Sequence, residues 1–594
     1  MFAAFPQRPW APDAPGRPAW RPLSGALAAT LALWAVATFW TSNWSWGVSF
    51  LHDWPLPAAL GLILLAVSGF VPRIRHGLGS LLERLGRIGD RGGWAADAAV
   101  GLLVAGILFS LRDSLQLTGD FDLRVHVLEY DRPPTRVFPQ AAPLDLAVNF
   151  HLPRLLMGTG MQAAPALQAV GSLVGGCFTV ASLALLRAVG ARGPALVAAA
   201  AVVLCGGYLQ HFAGYDKFGP LLLGVAIAGT GAVKLASGDA GWTLAAGSAL
   251  CVLSHRAGFL VLPASALLFL EAARRTGARR SRHLGAAALA LIAVTLAAVP
   301  WLIEVVLRVD WKVHQPGGAV ARSFESPDAP AALVRFSNLL NALFLLAPLW
   351  PVGVTAALHS AVRETRARVP GGVRLSTALA MALGAQAAVL LAVGATRGSG
   401  RDWDAAAAMG VMASLATACA LVPQWRGGSA ARAAAPHVTV ALAIGIAVWG
   451  PHASEAIGRR RIESLLADWP AWSATARAHA YDLLGMRALE RGRYDEALHD
   501  FERAFAAAPN PRYVHQAGIA RLSAGQAHEA RAAFLRAAFL MPAAPDPWFG
   551  LARAALDERD SLAAAAYLDS LLMRDPGDAR GRALRQALRT RLER

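Results

Sequence analysis

The chain has 594 residues, of which 55% are hydrophobic and only 16% charged, with a mean hydropathy of +0.41. That balance excludes an ordinary water-soluble protein, and repeated apolar runs near 20 residues indicate a polytopic membrane protein. The net charge of +17 does not point to nucleic acid as a partner, because the basic residues are spread over short loops and nearly all are arginine.

Residues 1–21 are rich in Pro and Arg and lack an apolar core, so they read as a disordered cytoplasmic tail rather than a cleaved signal peptide. The membrane domain follows over 22–451. Its expected spans lie near 22–41, 54–72, 95–111, 162–186, 194–210, 219–236, 242–253, 258–272, 284–305, 336–360, 376–396, 405–423 and 434–450, thirteen in all. In lipid each span must satisfy its own backbone hydrogen bonds, so the predicted fold class is all-α: a transmembrane helical bundle followed by a soluble α-solenoid. Placing loops 1–21, 73–94, 187–193, 237–241, 273–283, 361–375 and 424–433 in the cytoplasm gathers 21 Lys and Arg there. The positive-inside rule then predicts a cytoplasmic N-terminus and an extracytoplasmic C-terminus, as in a bacterial inner (plasma) membrane protein.

Cys177, Cys205, Cys251 and Cys419 fall in or beside apolar spans, where they act as small hydrophobes and give neither a disulfide framework nor metal spacing. No GxxxxGK[ST] loop and no HExxH is present. Chemistry must come from the loops.

The extracytoplasmic loop 112–160 carries Gly119-Asp-Phe-Asp-Leu-Arg124 just past an apolar span. Read as extended chain, Asp120 and Asp122 point the same way. Asp120 lies nearer the membrane and is the candidate general base, with Asp122 binding the acceptor or a divalent cation. The plainer alternatives are solvated acids, or an Asp122–Arg124 pair. Further along, Pro143-Leu-Asp145 opens an apolar stretch to Leu156, predicted as a helix lying on the membrane surface with Asp145 near its N-terminus.

Three later loops add polar side chains. His211, Tyr215 and Lys217 lie in a short connection close to the bilayer surface, where they contact a lipid-linked phosphate or form an aromatic belt with a snorkelling lysine. His255 and Arg256 sit between two apolar stretches, placing a guanidinium at the membrane edge either as a phosphate fork or as a helix-end anchor. Arg397, Arg401, Asp402 and Asp404 combine cations and acids around a Gly-Ser turn, as phosphate and acceptor contacts or as local ion pairs. All lie on the extracytoplasmic side in this topology. Carboxylates beside His, Lys and Arg suit a reaction in which a base activates a hydroxyl and cations hold a departing phosphate.

Over roughly residues 95–425 the chain resembles the polyprenyl-phosphate-dependent glycosyltransferases of the GT-C fold, whose first large extracytoplasmic loop carries an acidic pair near the membrane, as Asp120-Phe-Asp122 does here. In many of those enzymes that loop follows the first span; here it follows the third. The resemblance implies a sugar donor on a polyprenyl phosphate and Asp120 as the base. It further implies that Lys217, His255, Arg256, Arg397 and Arg401 hold the phosphate, with His211, Tyr215, Asp402 and Asp404 serving the acceptor.

After about residue 452 charged residues interleave at helical spacing, giving a linker helix over 452–477 and a soluble domain over 478–594. Leu484-Gly485, Gly492, Ala497, Phe501, Ala504 and Pro509 recur 33 residues later as Ala517-Gly518, Gly525, Ala530, Phe534, Ala537 and Pro542. A third copy keeps Leu551, Ala564 and Pro576, with Leu568 and Leu571 in the later positions. This resembles the tetratricopeptide repeat, and predicts three repeats with a capping helix near 580–592. The resemblance implies a concave face for a peptide or protein partner, alongside the membrane lipid and lipid-linked sugar. Two other readings stay open: a membrane scaffold for envelope assembly, and an O-antigen ligase or polymerase-like enzyme using Arg308, Lys312, His314 and Arg322 of loop 306–335.

Overall fold

The computed structural model describes residues 20–111, 115, 121–213, 218–275, 278–310, 330–367, 373–393, 403–425 and 429–592. Those residues form helices and turns, with no strand among them. The chain divides into two compact units, one ending at Pro470 and the other beginning at Ala471.

The first unit opens with α1 (Trp20–Phe39), α2 (Leu56–Ser68) and α3 (Pro72–Ser110), followed by the short helices α4 (Phe121–Glu129), α5 (Pro134–Val137), α6 (Pro143–Leu146) and α7 (Leu152–Met157). Next come α8 (Ala163–Ala188), α9 (Gly193–Val203), α10 (Gly219–Ala236), α11 (Trp242–Ser254), α12 (Leu262–Arg275) and α13 (Ala278–Glu304). It closes with α14 (Ala331–Leu346), α15 (Trp350–Ala367), α16 (Val373–Val393), α17 (Ala407–Leu421), α18 (Ala430–Ala453) and α19 (Glu455–Ala467).

Among the described residues seven helices are long and apolar enough to cross a membrane, or eight if the bent pair α14 and α15 forms one span. The thirteen expected crossings are thus not all of crossing length. Residues 336–360 are not one straight span: the chain turns through 88° between α14 and α15, where Pro351 in the first turn of α15 cannot continue the preceding helix. The expected span 194–210 stops at Val203, and its remainder turns into a 3-10 segment, Gly207–Phe212. Gly206 permits this break, because it lies so close to the Leu346 carbonyl that a Cβ has no room. The expected span 95–111 is the second half of α3, which bends at Gly93 (φ +53°), a conformation glycine adopts without strain.

The bundle is pinned at both ends by ion pairs. Where α8 finishes, Arg187 donates two 2.8 Å hydrogen bonds to Asp97 and one to the Gly89 carbonyl, while Asp90 accepts from the Gly193 amide at 2.8 Å. This ties α3, α8 and α9 together. At the other end α19 folds back onto the segment between α1 and α2: buried Arg461 pairs with buried Asp53 at 3.1 Å and bonds Ser49, and Asn43 donates to the carbonyls of Leu465, Asp468 and Pro470. Burial lifts the Asp53 carboxyl above the usual carboxylate range, against the opposing pull of Arg461, and lowers the Arg461 guanidinium. A buried pair of this kind adds little net stability, but losing one partner costs about 3–5 kcal/mol.

The second unit stacks seven helices in sequence: α20 (Ala474–Glu490), α21 (Tyr494–Ala507), α22 (Pro511–Ser523), α23 (Ala527–Leu540), α24 (Asp546–Asp557), α25 (Ser561–Arg574) and α26 (Ala579–Leu592). The repeated aromatics and glycines explain the pairing. The Phe501 ring of α21 lies on Gly485 of α20, and the Phe534 ring of α23 fits between Gly518 of α22 and Gly550 of α24. A Cβ at any of the three glycines would meet a ring carbon within 3 Å.

Candidate functional site

The short helices α4 to α7 build a small layer of their own. Phe121, Val127, Leu128, Phe138, Ala141 and Phe150 form an apolar core that packs on Ala163 and Leu167 at the start of α8. Inside it lies an ion pair that the sequence reading missed. Arg124, 1% exposed, makes a two-pronged contact with Asp145 at 2.9 and 3.0 Å, and Asn149 donates to the same carboxylate at 2.7 Å. The guanidinium lies 4.8 and 5.0 Å from the Phe138 and Phe150 ring centres, adding cation–π attraction to the pair. Residues 147–151 form a π-helical turn that joins α6 to α7 and carries Asn149.

Two expectations for this loop change. The segment from Phe121 is helical, so the extended-chain argument aligning Asp120 with Asp122 fails: Asp122 stands in the first turn of α4. The predicted helix from Pro143 to Leu156 forms, yet Asp145 is buried in an ion pair rather than exposed on a membrane surface. Asp120 lies outside the described residues, as do Tyr215, Lys217, Arg397, Arg401 and Asp402; the side chains of Asp122 and Asp404 do too. The same holds for Lys312, His314, Arg322 and the Arg308 side chain.

Below this layer the backbone breaks twice. α9 spans 11 residues, about 16 Å, and α11 spans 13, about 20 Å, against a hydrocarbon thickness of about 30 Å. The chain after α9 forms the 3-10 turn that meets α8 at Ser172 and Phe178: Ser172 Oγ donates to the Phe212 carbonyl at 3.5 Å, and the Phe178 and Phe212 rings lie 5.1 Å apart. Those contacts fall at least five residues of α8, about 8 Å, deeper than Leu167. Within a bilayer, irregular backbone persists only inside protein or along a water-filled cavity, and this segment is buried in protein. Tyr208, Gln210 and His211 are each 1% exposed or less. Tyr208 donates to the Val203 carbonyl, and Gln210 to the Val448 carbonyl of α18 at 3.4 Å.

Phe218 joins the two breaks. Its ring centre is 5.4 Å from His211 and 4.8 Å from His255, so the two predicted histidines flank one aromatic ring. His255 ends α11, and its Nδ1 accepts the Ala257 amide at 3.1 Å, which leaves the ring proton on Nε2 as a donor. Arg256, half-buried, begins the 3-10 turn Arg256–Val261, and Gln386 of α16 holds that turn by donating to the Ala257 carbonyl at 3.0 Å. α6, with Asp145, packs against α11. The structure therefore gathers His211, His255 and Arg256 around two helix breaks, beneath the loop whose first turn holds Asp122.

Sequence reading also missed Phe218 and Gln210, whose signal was present: each is next to or near a singled-out residue within a mostly apolar run. Among the described residues no three His, Cys, Asp or Glu converge as a metal-binding set.

No curated protein matches the chain. Residues 478–511 match the family model of the tetratricopeptide repeat, over α20, α21 and the first residue of α22, so the second unit carries at least one such repeat, a module of protein interaction.

Proposed function

We propose that the first unit is a GT-C-like glycosyltransferase that moves a sugar from a polyprenyl-phosphate carrier to an extracytoplasmic acceptor, with the repeat unit engaging a protein partner or the acceptor. One observation carries the reading furthest: two helices that stop short of crossing length, with His211, His255 and Arg256 around the breaks, under a loop of acidic residues. Polar side chains at two helix breaks suit a substrate whose tail is in lipid and whose reacting end is polar.

In this reading Asp120 takes the proton from an acceptor hydroxyl as that oxygen attacks the anomeric carbon. The bond from that carbon to the phosphate oxygen breaks, and the phosphate departs with the electron pair and the negative charge. Arg256, with Lys217, Arg397 or Arg401, stabilises that charge, and the Nε2 donor of His255 supports it. A single displacement inverts the sugar. Asp122 is assigned to the acceptor or to a divalent cation beside Asp120.

The test is sugar transfer from a lipid-linked donor by the purified protein. Asp120→Asn is expected to abolish transfer while leaving the melting temperature intact, and Arg256→Gln to reduce it by about 100-fold, the size of one lost charge-stabilising contact. Full transfer by Asp120→Asn removes Asp120 as base. The matched repeat favours a second reading, a non-enzymatic scaffold. That reading predicts no transfer by wild type with any lipid-linked sugar, and a partner captured only when residues 471–594 are present.

A further inference from the structure

A cleft lies at the end of the bundle where α19 meets the segment between α1 and α2. Its volume is about 320 Å³, and His52, Asp53, Trp54, Arg460, Glu463 and Ser464 line it, with Pro55. That is enough for a phosphate-bearing headgroup. The walls are stiff, because Arg461 and Asp53 lock α19 to this segment and Trp54 donates to the Ala447 carbonyl at 3.2 Å.

Charge pairing decides the chemistry of the occupant. Asp53 is neutralised by Arg461 at 3.1 Å and Glu463 by Arg459 at 3.2 Å. Arg460 is left over: its Nε donates to the Asp53 backbone carbonyl at 3.0 Å, and its terminal nitrogens have no acidic partner among the described residues. His52 turns its Nδ1 proton to the Thr38 carbonyl at 3.0 Å, so Nε2 of the neutral ring is an acceptor, suited to a headgroup hydroxyl rather than to phosphate oxygens. The cleft thus offers one arginine fork whose terminal nitrogens are not taken up by an acid, the geometry that suits phosphate oxygens.

What continues from the cleft is apolar. α2 begins three residues after Asp53 and presents Leu56, Leu60 and Leu64 on one face, 60, 45 and 66% exposed, at the i, i+4 spacing of a single stripe. Trp54 lies in between, a residue type that favours the water–lipid boundary. A cation over a Trp over an exposed leucine stripe matches one amphiphile.

We propose that this cleft binds the phosphate headgroup of an anionic membrane lipid, with the lipid tail along the Leu56–Leu60–Leu64 face of α2. The site is separate from the His211–His255 layer: α18 lies between them, accepting Gln210 at the Val448 carbonyl and Trp54 at the neighbouring Ala447 carbonyl. It does not depend on the glycosyltransferase reading.

The experiment uses the full chain, delipidated in neutral detergent, with phosphatidylglycerol titrated and bound lipid counted by native mass spectrometry. Wild type is expected to retain one phosphatidylglycerol well above phosphatidylcholine. Arg460→Gln is expected to weaken that binding about tenfold, the loss of one charged contact, and Arg460→Lys to recover part of it. Arg432→Gln, at the start of α18 and far from the cleft, is expected to bind as wild type does. Arg460 is exposed, so its variant is expected to keep the wild-type melting temperature. Should it not, Ser464→Phe fills the cleft without removing a charge and is expected to lower binding comparably. Equal phosphatidylglycerol binding by wild type and both cleft variants overturns the proposal. Displacement of the lipid by millimolar inorganic phosphate overturns it as well, since the site would then serve a water-soluble anion.

Discussion

At the residue scale, the structure separates charges that hold the fold from charges available to a ligand. Arg124 and Asp145 were visible in the sequence as a loop arginine and a loop acid, but their pairing across 21 residues depends on α4 and α6 folding over one apolar core. Pattern along a chain cannot reveal that. His211 and His255 were legible as polar residues at the ends of apolar runs, whereas the ring between them was not, because Phe218 looks like any membrane phenylalanine. In the second unit, His515 of α22 tilts against Phe534 at 5.4 Å. Burial lowers its pKa below the usual imidazole value, with Arg512 and Arg580 acting in the same direction and Asp546 opposing. The folded unit therefore binds fewer protons than the unfolded chain just below pH 6.5. Stability from the neutral ring is full above that pH and is lost as pH falls through the folded pKa. Thermal melts of the full chain between pH 7.5 and 5 are expected to show the repeat transition falling with acidification, and His515→Gln to flatten that fall. An unchanged slope in the variant assigns the effect to other groups.

At the scale of elements, hydropathy located the helices but not their ends. The run 194–210 is apolar throughout, so nothing in its hydrophobicity marks the stop at Val203. Cys205-Gly206-Gly207 was the available signal, two glycines where backbone must approach Leu345 and Leu346. α11 ends at an ordinary-looking serine, and its break follows from tertiary contacts. The repeat elements were more legible, because each glycine and aromatic answers the next at a fixed spacing. Phe534 is the most heavily used of them, fully buried between Gly518 and Gly550. Phe534→Ala is expected to cost about 3–5 kcal/mol and to loosen α22, α23 and α24 together, read as lost hydrogen-exchange protection. The third copy has Leu568 at that position, so Leu568→Ala should cost less, about 2–5 kcal/mol by the same rule. Protection lost only in α23 after Phe534→Ala would show that the ring does not couple neighbouring units.

At the scale of the whole molecule, composition pointed to a membrane protein, with which the long apolar helices are compatible, and the repeat pointed to a second unit, while the boundary between units lies where the sequence is least marked. α19 is charged and looks like a linker, yet it belongs to the first unit through Arg461, Asp53 and Asn43. A truncation after Pro470 is therefore expected to melt like the first unit of the full chain. One ending at Ala453 removes Arg461 with the rest of α19, so Asp53 and Ser49 lose their partner and this end of the bundle opens to water; it is expected to melt below the Pro470 truncation, measured by thermal unfolding in detergent. Equal melting of the two truncations would make α19 an appendage.

The same ion pair sets a schedule for biosynthesis. Asp53 is made 408 residues before Arg461, and at 5–20 residues per second the ribosome needs roughly 20–80 s to cover that gap. Throughout that interval the segment between α1 and α2 has no cation with which to bury its carboxylate. This end of the bundle must stay open to water until the last helix of the first unit arrives, so the membrane domain closes from its most recently synthesised helix onto its first loop.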